Sequence, residues 1–176
     1  MELTVQTQSQ PITGLKQYLD WMVSCRKVLG PRNNKFKFSC MEDFVLTHGQ
    51  FFPNYIPKPK WVRKGVIKQC FSNCAKAVMR NPDKLIYCEG FASGIIPVNH
   101  AWLLTTDGQI IDPTWDGRKE IKHEGEGTEY YGVPFKFGYV LRILRETGYY
   151  GVMDNWKNGF PLMTGEHTPK DFLHGY

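Results

Sequence analysis

The chain lacks any apolar run near the roughly 18 residues that a helix needs to cross a bilayer, so no membrane span is expected in it. Its opening residues, MELTVQTQSQ, have neither a basic start nor an apolar stretch, and no secretory leader is expected. Cysteine is sparse and odd in number, at positions 25, 40, 70, 74 and 88. Without a leader, that pattern fits free thiols in a reducing cytoplasm better than a disulfide framework. Paired short Cys/His spacings, the mark of strict metal modules, are missing. So are internal repeats and low-complexity tracts. No excess of one charge dominates: 22 Lys+Arg stand against 17 Asp+Glu, a net charge of +5. The basic residues are scattered apart from Lys58, Lys60, Arg63, Lys64 and Lys68. That cluster reads first as a solvated face and second as a contact for an anionic partner. Nucleic acid is not the expected partner, and the oligomeric state is left open.

What is present points to one folded domain. The 176 residues are 41% apolar and 14% aromatic, enough for a sizeable core. The expected fold is α+β over residues 1–176, with a core near 66–145 and an N-terminal helical part near 12–50. Leu15 to Leu29 has apolar residues at 15, 18, 19, 22, 25 and 29, a helical spacing closed by Gly30-Pro31. Cys25 falls on that stripe as a small core hydrophobe. Ser39-Cys40-Met41-Glu42 matches a capping box, leading a short helix to His48. Residues 50–60 hold three prolines and three aromatics and are expected to be an irregular packed loop. Cys70 to Arg80 reads as a helix buried through positions 71, 74, 75 and 78. Leu85 to Ala92 reads as a strand, and 100–105 with 109–115 as a hairpin turned at Asp107-Gly108. Residues 118–128, with His123, read as a surface loop. Tyr130 to Phe137 is an edge strand or a wall, and Tyr139 to Arg145 a helix ending near Gly148. The segment from Asp154 on gives little signal, and His167 and His174 read as surface residues.

The order within 69–115 is the informative feature. Cys70 stands where a helix should start, and a helix N-terminus favours negative charge, hence the thiolate. Cys74 lies a turn further in, on the packing face. His100 opens an apolar strand, and Asp112 returns on the neighbouring one. A cysteine nucleophile, a histidine that takes its proton and a carboxylate that holds the imidazole make a Cys-His-Asp site. Gln69 and the Cys70 N–H are the candidate oxyanion donors. A strict two-residue turn pairs Thr106 with Gln109 and puts Asp112 on the wrong face of the sheet. A three-residue turn or one bulge restores it to the face of His100. Asp116 is the runner-up for the orienting carboxylate.

HAWL (100–103), DG (107–108) and IDPTW (111–115) resemble the His-Ala-Trp and Asp-Pro-Thr signatures of the transglutaminase-like branch of the papain-like fold. QCFSN (69–73), YCEGFA (87–92) and YYGVPF (130–135) are more narrowly similar to short uncharacterised proteins of phages and bacteria. The likeness spans about 66–137. It implies a helix bearing the nucleophile packed on an antiparallel sheet. It also implies cysteine-dependent acyl transfer on a protein or small amide substrate, without cofactor or metal: hydrolysis, deamidation or transamidation. A phage origin would put the target in the host cytoplasm. CEGFA also resembles the nucleophile segment of such enzymes. However, Cys88 lies only 12 residues before His100, too few for a helix and a return strand, so the nucleophile falls to Cys70.

Two other readings compete. Cys70, Cys74, Cys88 and His100 together suggest a zinc-binding module. A catalytically inactive binding protein on the same fold would use the basic cluster and the aromatics Trp61, Tyr130 and Tyr131, taken as exposed.

Overall fold

The computed structural model describes residues 14–30, 34–53, 55–94, 96–115 and 129–175. The opening tail, the loop with His123, and Asp116 lie outside them. Two helices come first, α1 (Leu15–Val28) and α2 (Met41–His48), then a short strand β1 (Gln50–Phe52). The helix expected at Cys70 is α3 (Cys70–Arg80). Strands β2 (Leu85–Ala92), β3 (Val98–Thr105), β4 (Ile110–Ile111) and β5 (Tyr130–Phe135) follow, then α4 (Phe137–Thr147). A 3-10 turn at Trp156–Asn158 and two single-turn helices, α5 (Pro161–Thr164) and α6 (Pro169–Phe172), complete the described chain. The class is α+β. No helix among the described residues is long and apolar enough to cross a membrane.

The five described strands form one antiparallel sheet in the order β1-β5-β2-β3-β4. Side chains alternate across it. Tyr87, Phe91, Ala101, Leu103, Ile111, Val133 and Phe135 face the helices, packing with Leu19, Phe44, Cys74, Val78 and Ile143. Cys88, Trp102, Leu104, Ile110 and Tyr130 face the other way, with Phe52 closing over them. Trp102 is fully buried there, and its ring occupies the space that a Cβ on Gly132 would need, 2.4 Å away.

Several expectations are corrected. Residues 50–52 are a strand, paired with 130–132 of β5, and irregular backbone is confined to 53 and 55–60 among the described residues of that segment. β5 is no edge strand, because β1 and β2 flank it. The second hairpin arm stops at Ile111, not 115, because Pro113 has no N–H to give the ladder and Asp112 starts a turn. At the start of α2, the box partner is Asp43 and not Glu42. Asp43 Oδ2 accepts from the Ser39 N–H at 2.8 Å and the Ser39 hydroxyl at 2.9 Å. Tyr130 and Tyr131 are buried, leaving Trp61 as the exposed member of that trio. The segment 154–175 is anchored on the core by a few side chains: Phe172 is fully buried against Phe44, Phe135 and Tyr139. His167 is half-buried, its Nδ1 2.9 Å from the Tyr139 hydroxyl.

Candidate active site

α3 begins at Cys70 with Gln69 as its N-cap residue. The Gln69 side chain makes no capping bond, and the first N–H groups of any helix lack intrahelical acceptors. The helix crosses β3 close to His100: the Cys74 thiol donates to the carbonyl of Ala101 at 3.3 Å. Burial pushes that thiol far above its ordinary range, so Cys74 is a packing residue. Cys88 is likewise fully buried, on the opposite face of the sheet, and burial raises it well above the usual thiol. The four residues of the zinc reading therefore do not gather at one point, since Cys74 and Cys88 lie on opposite faces. Among the described residues no three His, Cys, Asp or Glu side chains are grouped to hold a metal.

The turn at 106–108 decides the register. Thr105 pairs with Gln109, its N–H donating to the Gln109 carbonyl at 2.9 Å, and Leu103 pairs with Ile111. Three residues, not two, make the loop, and Gly108 at φ 82° supplies the left-handed position such loops need. Ile110 and Asp112 thereby share the face of Trp102 and His100. Past Ile111 the sequence Asp-Pro-Thr-Trp folds its own turn. Asp112 Oδ1 accepts the N–H groups of Thr114 and Trp115 at 2.8 and 2.9 Å, the Asx arrangement that follows from a short carboxylate side chain.

The other carboxylate oxygen, Oδ2, lies 2.8 Å from His100 Nε2 and accepts the Tyr130 hydroxyl at 3.0 Å. Four contacts fill the roughly four lone-pair sites of a carboxylate. That makes a fully buried charge at Asp112 tolerable. With Nε2 taken, the ring nitrogen left for the Cys70 thiol is Nδ1. Trp115 stacks on the imidazole, centroids 4.0 Å apart and planes 16° from parallel, which holds the ring in that orientation. His100 is 3% and Cys70 8% exposed, so the pair sits just beneath the surface.

The electrostatics follow from this geometry. Burial works to lower the His100 pKa, but the Asp112 carboxylate, helped by the nearby Cys70 side chain, outweighs it and pushes the imidazole up to about 9. Burial works to raise the Asp112 carboxyl. His100 and the two turn N–H groups outweigh that and hold it below the ordinary range. Burial and the adjacent carboxylate raise the Tyr130 phenol, which stays a donor.

Comparison with known proteins adds no relative. No family model, curated protein or solved structure matches the chain. The site therefore has to be read from its own residues.

Of the residues singled out in the sequence, Cys70, His100 and Asp112 come together. Gln69 flanks them with an exposed side chain. Asp116 lies outside the described residues. Four contributors were not anticipated: Tyr130 on Asp112, Trp115 on His100, Glu89, and Asn73. Glu89 is fully buried in β2. It accepts from the Tyr87 hydroxyl at 2.8 Å and from the N–H groups of Val152 and Met153 at 2.8 and 3.0 Å. It thus fastens the segment after α4 onto the sheet. Burial raises its carboxyl, against those three bonds.

Asn73 braces this arrangement. Its Oδ1 accepts the Val66 N–H at 3.1 Å, and its Nδ2 donates to the Val66 carbonyl and the Thr114 hydroxyl, both at 2.8 Å. One turn after Cys70, it ties α3 to the approach loop and to the turn that aims Asp112. Gly65 is needed there, because a Cβ would lie 2.4 Å from the Asn73 amide, and the Gly65 N–H donates to the Pro113 carbonyl at 2.7 Å. Asn73→Ala removes three bonds at a part-buried junction and is expected to cost about 1–3 kcal/mol of stability and to lower the reactivity of Cys70. Thr114→Val should show a milder form, rescued by Thr114→Ser. Urea unfolding together with timed alkylation of Cys70 checks both. Unchanged alkylation in folded Asn73→Ala would remove it from the positioning role.

Proposed function

We propose that the protein is a cysteine-dependent acyl-transfer enzyme, with Cys70 as nucleophile, His100 as acid and base, and Asp112 as the carboxylate that orients and charges His100. The observation that carries this reading is the buried His100–Asp112 pair at 2.8 Å, with Cys70 at the start of α3 near enough to bear on the charge of the same ring. The α+β sheet with a cysteine-bearing helix lying on it agrees with the papain-like, transglutaminase-like resemblance of the HAWL and DPTW segments. That kinship is part of the proposal.

In the proposed cycle the imidazolium faces a Cys70 thiolate. The sulfur attacks the carbonyl carbon of an amide, and the oxyanion is received by the Cys70 N–H and the Gln69 amide. His100 then gives its Nδ1 proton to the departing nitrogen as the C–N bond breaks, leaving a thioester on Cys70. Water or an amine attacks that thioester, its proton passes to Nδ1, and the thiolate returns. Water gives hydrolysis or deamidation and an amine gives transamidation, according to which acceptor the surface admits. The substrate is a protein or a small amide. Asp112 keeps its charge throughout, since its four donors suit the carboxylate and not the acid.

The test uses p-nitrophenyl acetate as an activated acyl donor, with intact-mass and peptide mapping. One acetyl group should load onto Cys70 in a rapid phase. Acetyl carried by lysines alone, with none on Cys70, would overturn the proposal.

A further inference from the structure

A groove of about 220 Å³ runs along the outer side of α3, between that helix and the loop before it. Trp61, Arg63, Lys64, Gln69, Lys76 and Arg80 line it. Gln69, the residue before Cys70, belongs to the lining, so the groove lies beside the start of α3. Among the described residues, its lining holds four cationic side chains and no carboxylate. Lys84, whose Nζ lies 5.7 Å from the Trp61 ring centroid, adds a fifth cation at the rim. Among the described residues the ion pairs are Lys16 with Asp20 and His100 with Asp112, so Arg63, Lys64, Lys76 and Arg80 are left without a neutralising acid. Like charges gathered along a concave wall repel one another, and an anionic ligand relieves that repulsion.

We propose that this groove seats an acidic segment of the acyl donor, so that the substrate of Cys70 is a polypeptide with Asp or Glu residues close to the amide attacked. The assignment rests on the acyl-transfer reading of Cys70. A polypeptide fits better than a nucleic acid for two reasons. The groove lies next to a nucleophile that needs an acyl carbon, which a phosphodiester backbone does not offer. Its volume also suits a few side chains side by side, with Trp61 covering their aliphatic stems, and not a phosphate strand with its bases.

Fluorescence anisotropy on the full chain tests this with three labelled probes: a short glutamate-rich peptide, the same peptide with glutamine in place of glutamate, and a thymidine oligonucleotide of matched charge. The glutamate peptide is expected to bind about tenfold or more tightly than the glutamine one, and to weaken as salt rises. The combined reversal Arg63→Glu, Lys64→Glu and Arg80→Glu should cut its affinity by about tenfold or more. A matched reversal of Lys16, Lys27 and Lys170 on α1 and α6 should leave it within about twofold. Where circular dichroism shows the groove reversal to be misfolded, the glutamine versions of the same three positions take its place. Equal binding of both peptides, tighter binding of the oligonucleotide, or equal loss in the α1 and α6 reversal overturns the proposal. Acetyl loading of Cys70 on the same preparation keeps the two claims apart. Failed loading with intact peptide binding refutes the acyl-transfer reading alone, and normal loading without glutamate preference refutes the groove.

Discussion

Cys70→Ala is expected to abolish acetyl loading at that helix start, and His100→Gln to slow it by about 1,000-fold or more. The reason is a division of labour. The sulfur is the bond-forming atom and has no substitute: Cys74 and Cys88 are fully buried, and burial holds both in the unreactive thiol form. His100 supplies the charge that favours a thiolate and the proton that the leaving nitrogen needs. Glutamine is the replacement of choice, since it can still donate towards Asp112. Alanine would leave that buried carboxylate short of a partner, at a cost of about 3–5 kcal/mol. Because the two residues act as a unit, the double variant should lose no more than Cys70→Ala alone. A His100→Gln protein that is folded and loads at the wild-type rate would remove histidine from the mechanism.

The second large effect belongs to Asp112→Asn. The side-chain oxygen would stay on the Thr114 and Trp115 N–H groups, turning the new NH₂ towards His100 Nε2. A donor there forces Nε2 to accept, so the ring carries its proton on Nδ1 and can no longer take one from Cys70. Loss of about 100- to 10,000-fold in loading rate is expected, the range seen when a positioned base takes the wrong tautomer. The pH profile should change with it. In the wild type His100 stays protonated to about 9, so the alkaline limb of Cys70 reactivity lies near there. In Asp112→Asn that limb should retreat towards the ordinary imidazole value of 6.5. Stability follows the same sign. A histidine raised above its unfolded value contributes stability that is complete below 6.5 and lost as the pH rises through about 9. Wild-type urea midpoints should fall across that window, and those of Asp112→Asn should not. Asp116→Asn is the comparison, expected to stay near wild type. A 100-fold loss in Asp116→Asn beside a normal Asp112→Asn would transfer the orienting role.

The parts of this site that were legible in the sequence are those set by local rules. Cys70 at a helix start, His100 at the head of an apolar strand and the Asp-Gly turn each announce themselves within a few residues. The face of Asp112 did not, because it depends on whether the turn has two or three residues, and Asp107-Gly108 serves either. Gly108 at positive φ with Thr105 opposite Gln109 resolved it. Tyr130 reads as an exposed aromatic, since nothing local in 130–137 tells an edge strand from a wall. Pairing of Gln50–Phe52 beyond it buries that strand, and three residues of strand among prolines carry almost no periodicity. Asn73 and Trp115 were invisible as partners for a plainer reason. Their contacts span 41 residues for Asn73 to Thr114, and for Trp115 a stacking set by an Asx turn, neither of which leaves a pattern along the chain. Residues 154–175 read as an uninformative tail because their packing uses isolated large side chains such as Phe172, not a repeat.

The most direct measurement is competitive alkylation of the native protein with limiting iodoacetamide near neutral pH, read out by peptide mapping at all five cysteines. Exposure alone favours Cys25 and Cys40, which are half-buried, over Cys70 at 8% exposed. Activation by His100 favours Cys70. The account predicts that Cys70 is labelled first, and that His100→Gln abolishes its lead while leaving Cys25 and Cys40 labelled as before. Labelling of Cys25 or Cys40 ahead of Cys70 in the folded wild type would contradict it.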